Sequence, residues 1–238
     1  MDFPQRGHGI RLELLQGFQL LSEQTEVDLP VSAQRVLAFL ALQTRPISRT
    51  FVAAMLWMDC SEERAGGNLR SALWRVNRPG HRLVDAGAKV IRLLPEVAVD
   101  LHEMTRIARG VLDGGMACEQ LRLQDLTLAG DLLPGWYEEW IVTERERFHQ
   151  LRLHALEILC GQLSAAGRFG QAVEAGLAAV SSEPLRESAH QALIRVYIEE
   201  GNRGEAIRQY RTCQAILQRE LGVEPSPVTV SLIQSVSV

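Results

Sequence analysis

Apolar and polar positions alternate in short stretches along the first 30 residues. Ile10 to Leu15 is mostly apolar with polar breaks at Arg11 and Glu13. Gly17 interrupts it, and Phe18 to Leu21 and Val27 to Leu29 follow across a polar turn. This pattern predicts short β-strands, closed by Pro30. The period then changes. Val36, Leu37, Leu40 and Ala41 recur at helical spacing behind Ser32, a residue type suited to cap a helix N-terminus. Pro46-Ile47-Ser48 ends that helix, and Ser48 is placed to cap a short second one through Phe51, Val52, Met55 and Leu56. After the turn Asp59-Cys60-Ser61 a longer helix runs from Glu62 to Asn77 and stops at Pro79-Gly80. Its apolar positions, Ala65, Leu69, Ala72, Leu73 and Val76, make a single stripe. Leu83-Val84-Asp85, the turn Ala86-Gly87-Ala88 and Val90 to Leu93 read as a β-hairpin. Two helices joined by a tight turn and followed by a basic hairpin are the winged form of helix-turn-helix.

From Asp100 onward the pattern is helical almost throughout. One helix spans Asp100 to Leu112, residues 113–135 read as loop, and a long amphipathic helix runs from Trp136 to about Ala166. Further helices follow over Phe169–Val180, Leu185–Glu200, Gly204–Leu221 and after Pro227. Gly167 and Gly201 stand 34 residues apart. At that offset Ala172 matches Ala206, Ala179 matches Cys213, Leu159 matches Leu193 and Leu163 matches Tyr197. About 34 residues is the tetratricopeptide period, with small residues where paired helices approach. The expected fold is therefore mainly α with a small β component. Residues 1–97 would form a winged helix and residues 98–238 a tetratricopeptide-like α-helical domain.

Composition narrows the function. The 238 residues contain no apolar run of about 18, which argues against a membrane-spanning helix. The start, Met1-Asp2-Phe3-Pro4, lacks a signal-peptide core. Cys60, Cys118, Cys160 and Cys213 are too scattered for a disulfide framework or a zinc ribbon, so a reduced, cytoplasmic protein is expected. No phosphate-binding loop and no Gly-x-Ser-x-Gly, His-Glu-x-x-His or Cys-x-x-Cys string occurs. Glu138-Glu139, Glu144 and Glu146 lie beside Arg145 and Arg147, which surface charge pairing explains. The expectation is no enzyme, no cofactor and no metal.

The net charge of −4 hides an asymmetry. Residues 1–110 carry +2 and residues 111–238 carry −6. Between Arg64 and Arg92, seven cations (Arg64, Arg70, Arg75, Arg78, Arg82, Lys89 and Arg92) face one acid, Asp85. A local +6 on an acidic chain is an electrostatic footprint for phosphate, although a solvated helix face has the same appearance. Lys89 is the chain's one lysine. In projection at about 100° per residue, Gly67, Ser71, Trp74 and Arg78 lie opposite the apolar stripe, flanked by Arg64, Arg70 and Arg75. Such a face suits the major groove, where an arginine fork takes guanine O6 and N7 together. Trp74 could pack on a thymine methyl, on sugar, or against a neighbouring domain. Gly66-Gly67 either brings backbone close to phosphate or marks a frayed, late helix onset.

The same residues carry a resemblance. Asn68-Leu69-Arg70-x-Ala72-Leu73-x-Arg75 in the helix from Glu62 to Asn77 is followed by Gly130-Asp131-Leu132-Leu133-Pro134-Gly135-Trp136-Tyr137-Glu138-Glu139-Trp140. Glu144-Arg145-Glu146-Arg147, Pro184-Leu185-Arg186-Glu187-x-Ala189-His190, Gln209-Tyr210-x-x-Cys213 and Glu220-Leu221-Gly222-Val223-Glu224-Pro225-Ser226 come after it. In this order they resemble the Streptomyces antibiotic regulatory proteins, in the short form that joins a winged helix to a bacterial transcriptional activator domain. The resemblance implies a nucleoid-associated activator that binds direct repeats in double-stranded DNA and recruits RNA polymerase holoenzyme, typically at antibiotic and other secondary-metabolite genes. It leaves room for a homodimer on DNA. It carries DNA contact onto this helix, including Arg64, Arg70 and Arg75, and onto the wing around Lys89; the exposed face and the basic window add Ser71, Trp74, Arg78 and Arg92 to the expected DNA-binding residues. Gly66-Gly67 and Trp74 depart from the family's pattern, so its target sequence does not transfer. A protein–protein adaptor whose winged helix no longer binds DNA is the alternative, with the glycine pair as its support.

Overall fold

The computed structural model describes residues 9–77, 82–115, 123–127 and 129–234. Arg78, Cys118 and the expected helix stop at Pro79-Gly80 lie outside the described residues. The chain begins with strands β1 (Ile10–Glu13), β2 (Gln19–Ser22) and β3 (Thr25–Glu26), then helix α1 (Val31–Ala41). Strand β4 (Ile47–Ser48) leads into α2 (Arg49–Leu56) and α3 (Glu62–Val76). The hairpin β5 (Val84–Ala86) and β6 (Val90–Leu93) and the short β7 (Ala98–Val99) follow. Next come α4 (Asp100–Leu112), α5 (Leu123–Thr127), α6 (Glu139–Ala165), α7 (Phe169–Ser182), α8 (Glu187–Glu199), α9 (Arg203–Leu221) and α10 (Pro227–Gln234). The protein is mainly helical with a small β component, an N-terminal winged helix-turn-helix and a C-terminal tetratricopeptide-like array.

Its contacts divide into two compact units, Met1–Glu103 with Gly130–Glu144, and Met104–Ala129 with Arg145–Val238. This differs from a single cut after residue 97. The reason is apolar. Leu132 and Leu133 are fully buried in the first unit, where Leu132 bridges Leu15 and the Leu133 N–H donates to Leu14 O at 2.8 Å. Trp136 stacks on Phe18 at 6.1 Å, Trp140 meets Phe39 edge-on at 5.1 Å, and Arg35 pairs with Glu138 at 2.9 Å. The Gly130–Trp140 motif is thus the clasp of the winged unit. Residues 113–135 are also more than the expected loop, since α5 lies within them.

Within the first unit one sheet runs β3-β2-β1-β7, with β1 antiparallel to β2 and parallel to β7. Leu12 and Leu14 alternate inward while Arg11 and Glu13 pair at 2.9 Å. Strand β3 precedes the expected Val27–Leu29: the Val27 N–H still donates to Leu20 O, and the chain then leaves for Pro30. Helix α1 opens from Pro30, whose carbonyl accepts from Ala33 and Gln34, so Ser32 is not its cap. Ser48 does occupy the cap position of α2, although its hydroxyl bonds Thr50 Oγ1 at 2.8 Å and no backbone N–H. Helices α1, α2 and α3 bury Val36, Leu37, Leu40, Val52, Leu56, Leu69, Ala72, Leu73 and Val76.

The second unit repeats itself. Gly167 (φ +71°) and Gly201 (φ +87°) take the left-handed conformation that ends a helix. The Gly167 and Arg168 N–H groups donate to Ser164 O and Leu163 O, both at 2.9 Å. The Gly201 and Asn202 N–H groups donate to Ile198 O at 3.0 Å and Tyr197 O at 2.7 Å, 34 residues on. Leu159, Ala172, Ala179, Leu193, Ala206 and Cys213 are all buried, as the repeat register requires. Helix α6 starts at Glu139 rather than Trp136, because Trp136 is held by Phe18.

Candidate nucleic-acid interface

Helix α3 supplies the candidate face. Ser61 caps it, accepting from the Arg64 N–H at 3.4 Å, and Glu62 and Glu63 in the first turn with Arg75 in the last suit the helix dipole. The helix starts at Glu62 and continues unbroken through Gly66-Gly67, which corrects the frayed or late onset. A Cβ on Gly66 would meet an Arg70 guanidinium nitrogen at 3.7 Å, as would one on Gly67. The Arg70 fork therefore lies over the glycine pair. Ala65, Leu69, Ala72, Leu73 and Val76 are the buried stripe, as the pattern predicts. Arg64, Arg70, Ser71 and Trp74 are exposed on the other side, Trp74 at 74%, and Arg75 is half-buried at the flank.

The wing stands beside this helix and two clamps hold it. At the end of α3, the Asn77 Oδ1 accepts from the Leu83 and Val84 N–H groups, each at 3.0 Å, and its Nδ2 donates to Val84 O at 2.8 Å. At the start of α2, the Arg49 N–H donates to Lys89 O at 3.0 Å and its Nη1 to Gly87 O at 3.2 Å. Sheet order β4-β6-β5 completes the wing. Lys89 is exposed at its tip.

The charges are less uniform than the sequence window suggests. Arg82 and Arg92 both turn to Asp85, at 3.6 and 3.3 Å. These pairs are exposed and contribute at most about 1 kcal/mol, but they tie up two of the seven cations. Arg64, Arg70, Arg75 and Lys89 make no ion pair among the described residues. Sequence reasoning missed the two clamps. Asn77 left a signal, a side chain with donor and acceptor just past the last apolar stripe position, whereas Arg49 left none because its partners are wing carbonyls distant in sequence.

The shifted titratable groups lie away from this face. The Asp100 carboxylate accepts from the Leu14 and Leu15 N–H groups at 3.0 Å, and burial pushes its pKa up against those donors. Burial also pushes the Cys160 thiol up to about 12. No cluster of His, Cys, Asp and Glu able to hold a metal occurs among the described residues, and no helix among them is long and apolar enough to cross a membrane.

Residues 115–237 match the bacterial transcriptional activator domain family. The chain belongs to that family. The bacterial transcriptional activator domain thus covers α5 to α10, and the resemblance to the Streptomyces antibiotic regulatory proteins is borne out. The regulatory protein AfsR of Streptomyces coelicolor is 27% identical over 217 residues, covering 80% of this chain and 22% of that protein. The transcriptional regulator RedD of the same organism is 31% identical over 177 residues, 68% of this chain and 44% of RedD. The chain thus spans under half the length of either relative. Among solved structures, Mycobacterium tuberculosis EmbR, in complex with a low-affinity phosphopeptide, shares the fold. It has a TM-score of 0.74 over 96% of this chain and 65% of that one, at 20% identity.

Proposed function

We propose that the chain is a sequence-specific DNA-binding transcriptional activator. In this reading α3 enters the major groove with Arg64, Arg70, Ser71, Trp74 and Arg75, joined by Arg78, while Lys89 and Arg92 on the wing meet phosphate. The winged unit binds direct repeats beside a promoter, a homodimer forms on them, and the helical domain recruits RNA polymerase at genes of secondary metabolism. The site of action is the nucleoid. One observation carries the reading: a helix buried along one stripe presents arginines on its other face, and no carboxylate pairs with them among the described residues. A solvated charged face would ordinarily interleave acids with its arginines. Selection of bound sites from random duplex DNA tests it. A recovered sequence motif, with affinity that falls as salt rises, is the expected result. Recovery of no motif would overturn it and return the adaptor reading.

A further inference from the structure

The row Gly67, Ser71, Trp74 runs along the middle of the exposed face of α3 at i, i+4 and i+7, about one face of a helix over two turns. Side-chain size grows steeply along it, from no side chain through a hydroxymethyl group to an indole. At the narrow end the Arg70 fork rests over the glycines. At the wide end the Trp74 ring is 74% exposed, second only to Tyr137 among the described aromatic residues. A large apolar ring held in water on an arginine-flanked face is unfavourable in the free protein, and in a major groove most of what it meets is polar. The exception is the thymine C5-methyl group, the one apolar group on a major-groove base edge. Phosphate gives an uncharged ring nothing comparable.

We infer that Trp74 is a specificity-determining residue that reads the 5-methyl group of a thymine, while the glycine pair lets the other end of the helix approach with the Arg70 fork foremost. This rests on the DNA-reading function proposed above and assigns one position of its target. The contact is apolar and carries no counterion, so it adds to sequence preference and leaves the salt slope alone.

The test uses the full chain and the duplex recovered by site selection, with each thymine replaced in turn by deoxyuridine, which lacks only the methyl group. Wild-type protein should lose about fourfold in affinity at one thymine, the worth of one buried methyl group. Trp74→Ala should bind the thymine and deoxyuridine duplexes equally at that position, with its salt slope unchanged, and Trp74→Phe should restore part of the discrimination. Because the position is exposed, these variants should fold like wild type, with unchanged far-UV ellipticity and thermal melting. Equal loss in wild type and Trp74→Ala at every thymine would overturn the assignment, as would a wild-type protein indifferent to all the methyl groups. Selection that recovers no motif would overturn the DNA-reading function itself, and this assignment with it.

Discussion

Asn77→Ala removes the clamp between α3 and the wing. Three hydrogen bonds go with it, two accepted from the Leu83 and Val84 N–H groups and one donated to Val84 O. Each is worth about 1 kcal/mol net when partly buried, and the stranded backbone groups keep some access to water. The expected cost is about 2–3 kcal/mol. Asn77→Asp keeps the acceptor for both N–H groups and sets a carboxylate against Val84 O, so it should cost less, about 1–2 kcal/mol. The four tryptophans, Trp57, Trp74, Trp136 and Trp140, all belong to the first unit, so their fluorescence follows its unfolding in urea without interference from the helical unit. A midpoint shift for Asn77→Ala equivalent to under about 0.5 kcal/mol, the range of ordinary surface substitutions, would refute the clamp. So would an Asp variant no better than Ala.

Lys89→Ala should weaken DNA binding about equally across sequences and lower the salt slope by about one, while Arg92→Ala should do less because Arg92 already turns to Asp85; gel shifts over a salt series measure both. His190 is fully buried, its Nε2 on Pro184 O at 2.9 Å and its Nδ1 facing Gln209 Nε2 at 2.8 Å, and burial lowers its pKa below 6.5. The unfolded chain then binds the proton more readily, so stability of the helical unit is complete above about pH 6.5 and falls as pH drops below it, a loss that His190→Gln should reduce in ellipticity-monitored urea melts. Gly66→Ala should stabilise by about 1 kcal/mol, since its Cβ meets only the movable Arg70 fork. Gly176→Ala should destabilise by about 1–3 kcal/mol, because its Cβ would sit 3.0 Å from Leu193 Cδ1 and 3.2 Å from Leu193 Cβ. Thermal melts giving the same sign for both glycines would contradict this packing.

Periodicity alone determined the longer helices and which face of α3 stays exposed. The stripe from Ala65 to Val76 is buried residue for residue, because a helix with one apolar face has only one way to hide it. The 34-residue offset likewise announced the paired turns at Gly167 and Gly201, since identical helix endings need the same left-handed residue and the same donors. Long-range partnership was not legible. Nothing local in Leu132-Leu133 says that they fill the winged unit rather than the helical one, as burial is a property of what arrives opposite. The same holds for charge: seven cations and one acid are visible in sequence, but only the hairpin brings Arg82 and Arg92 to Asp85, and only folding sets Asn77 against Leu83 and Val84. Sequence carries pattern along the chain, whereas the pairing of hydrogen-bond donors, acceptors and charges depends on distances that exist only after the backbone has closed.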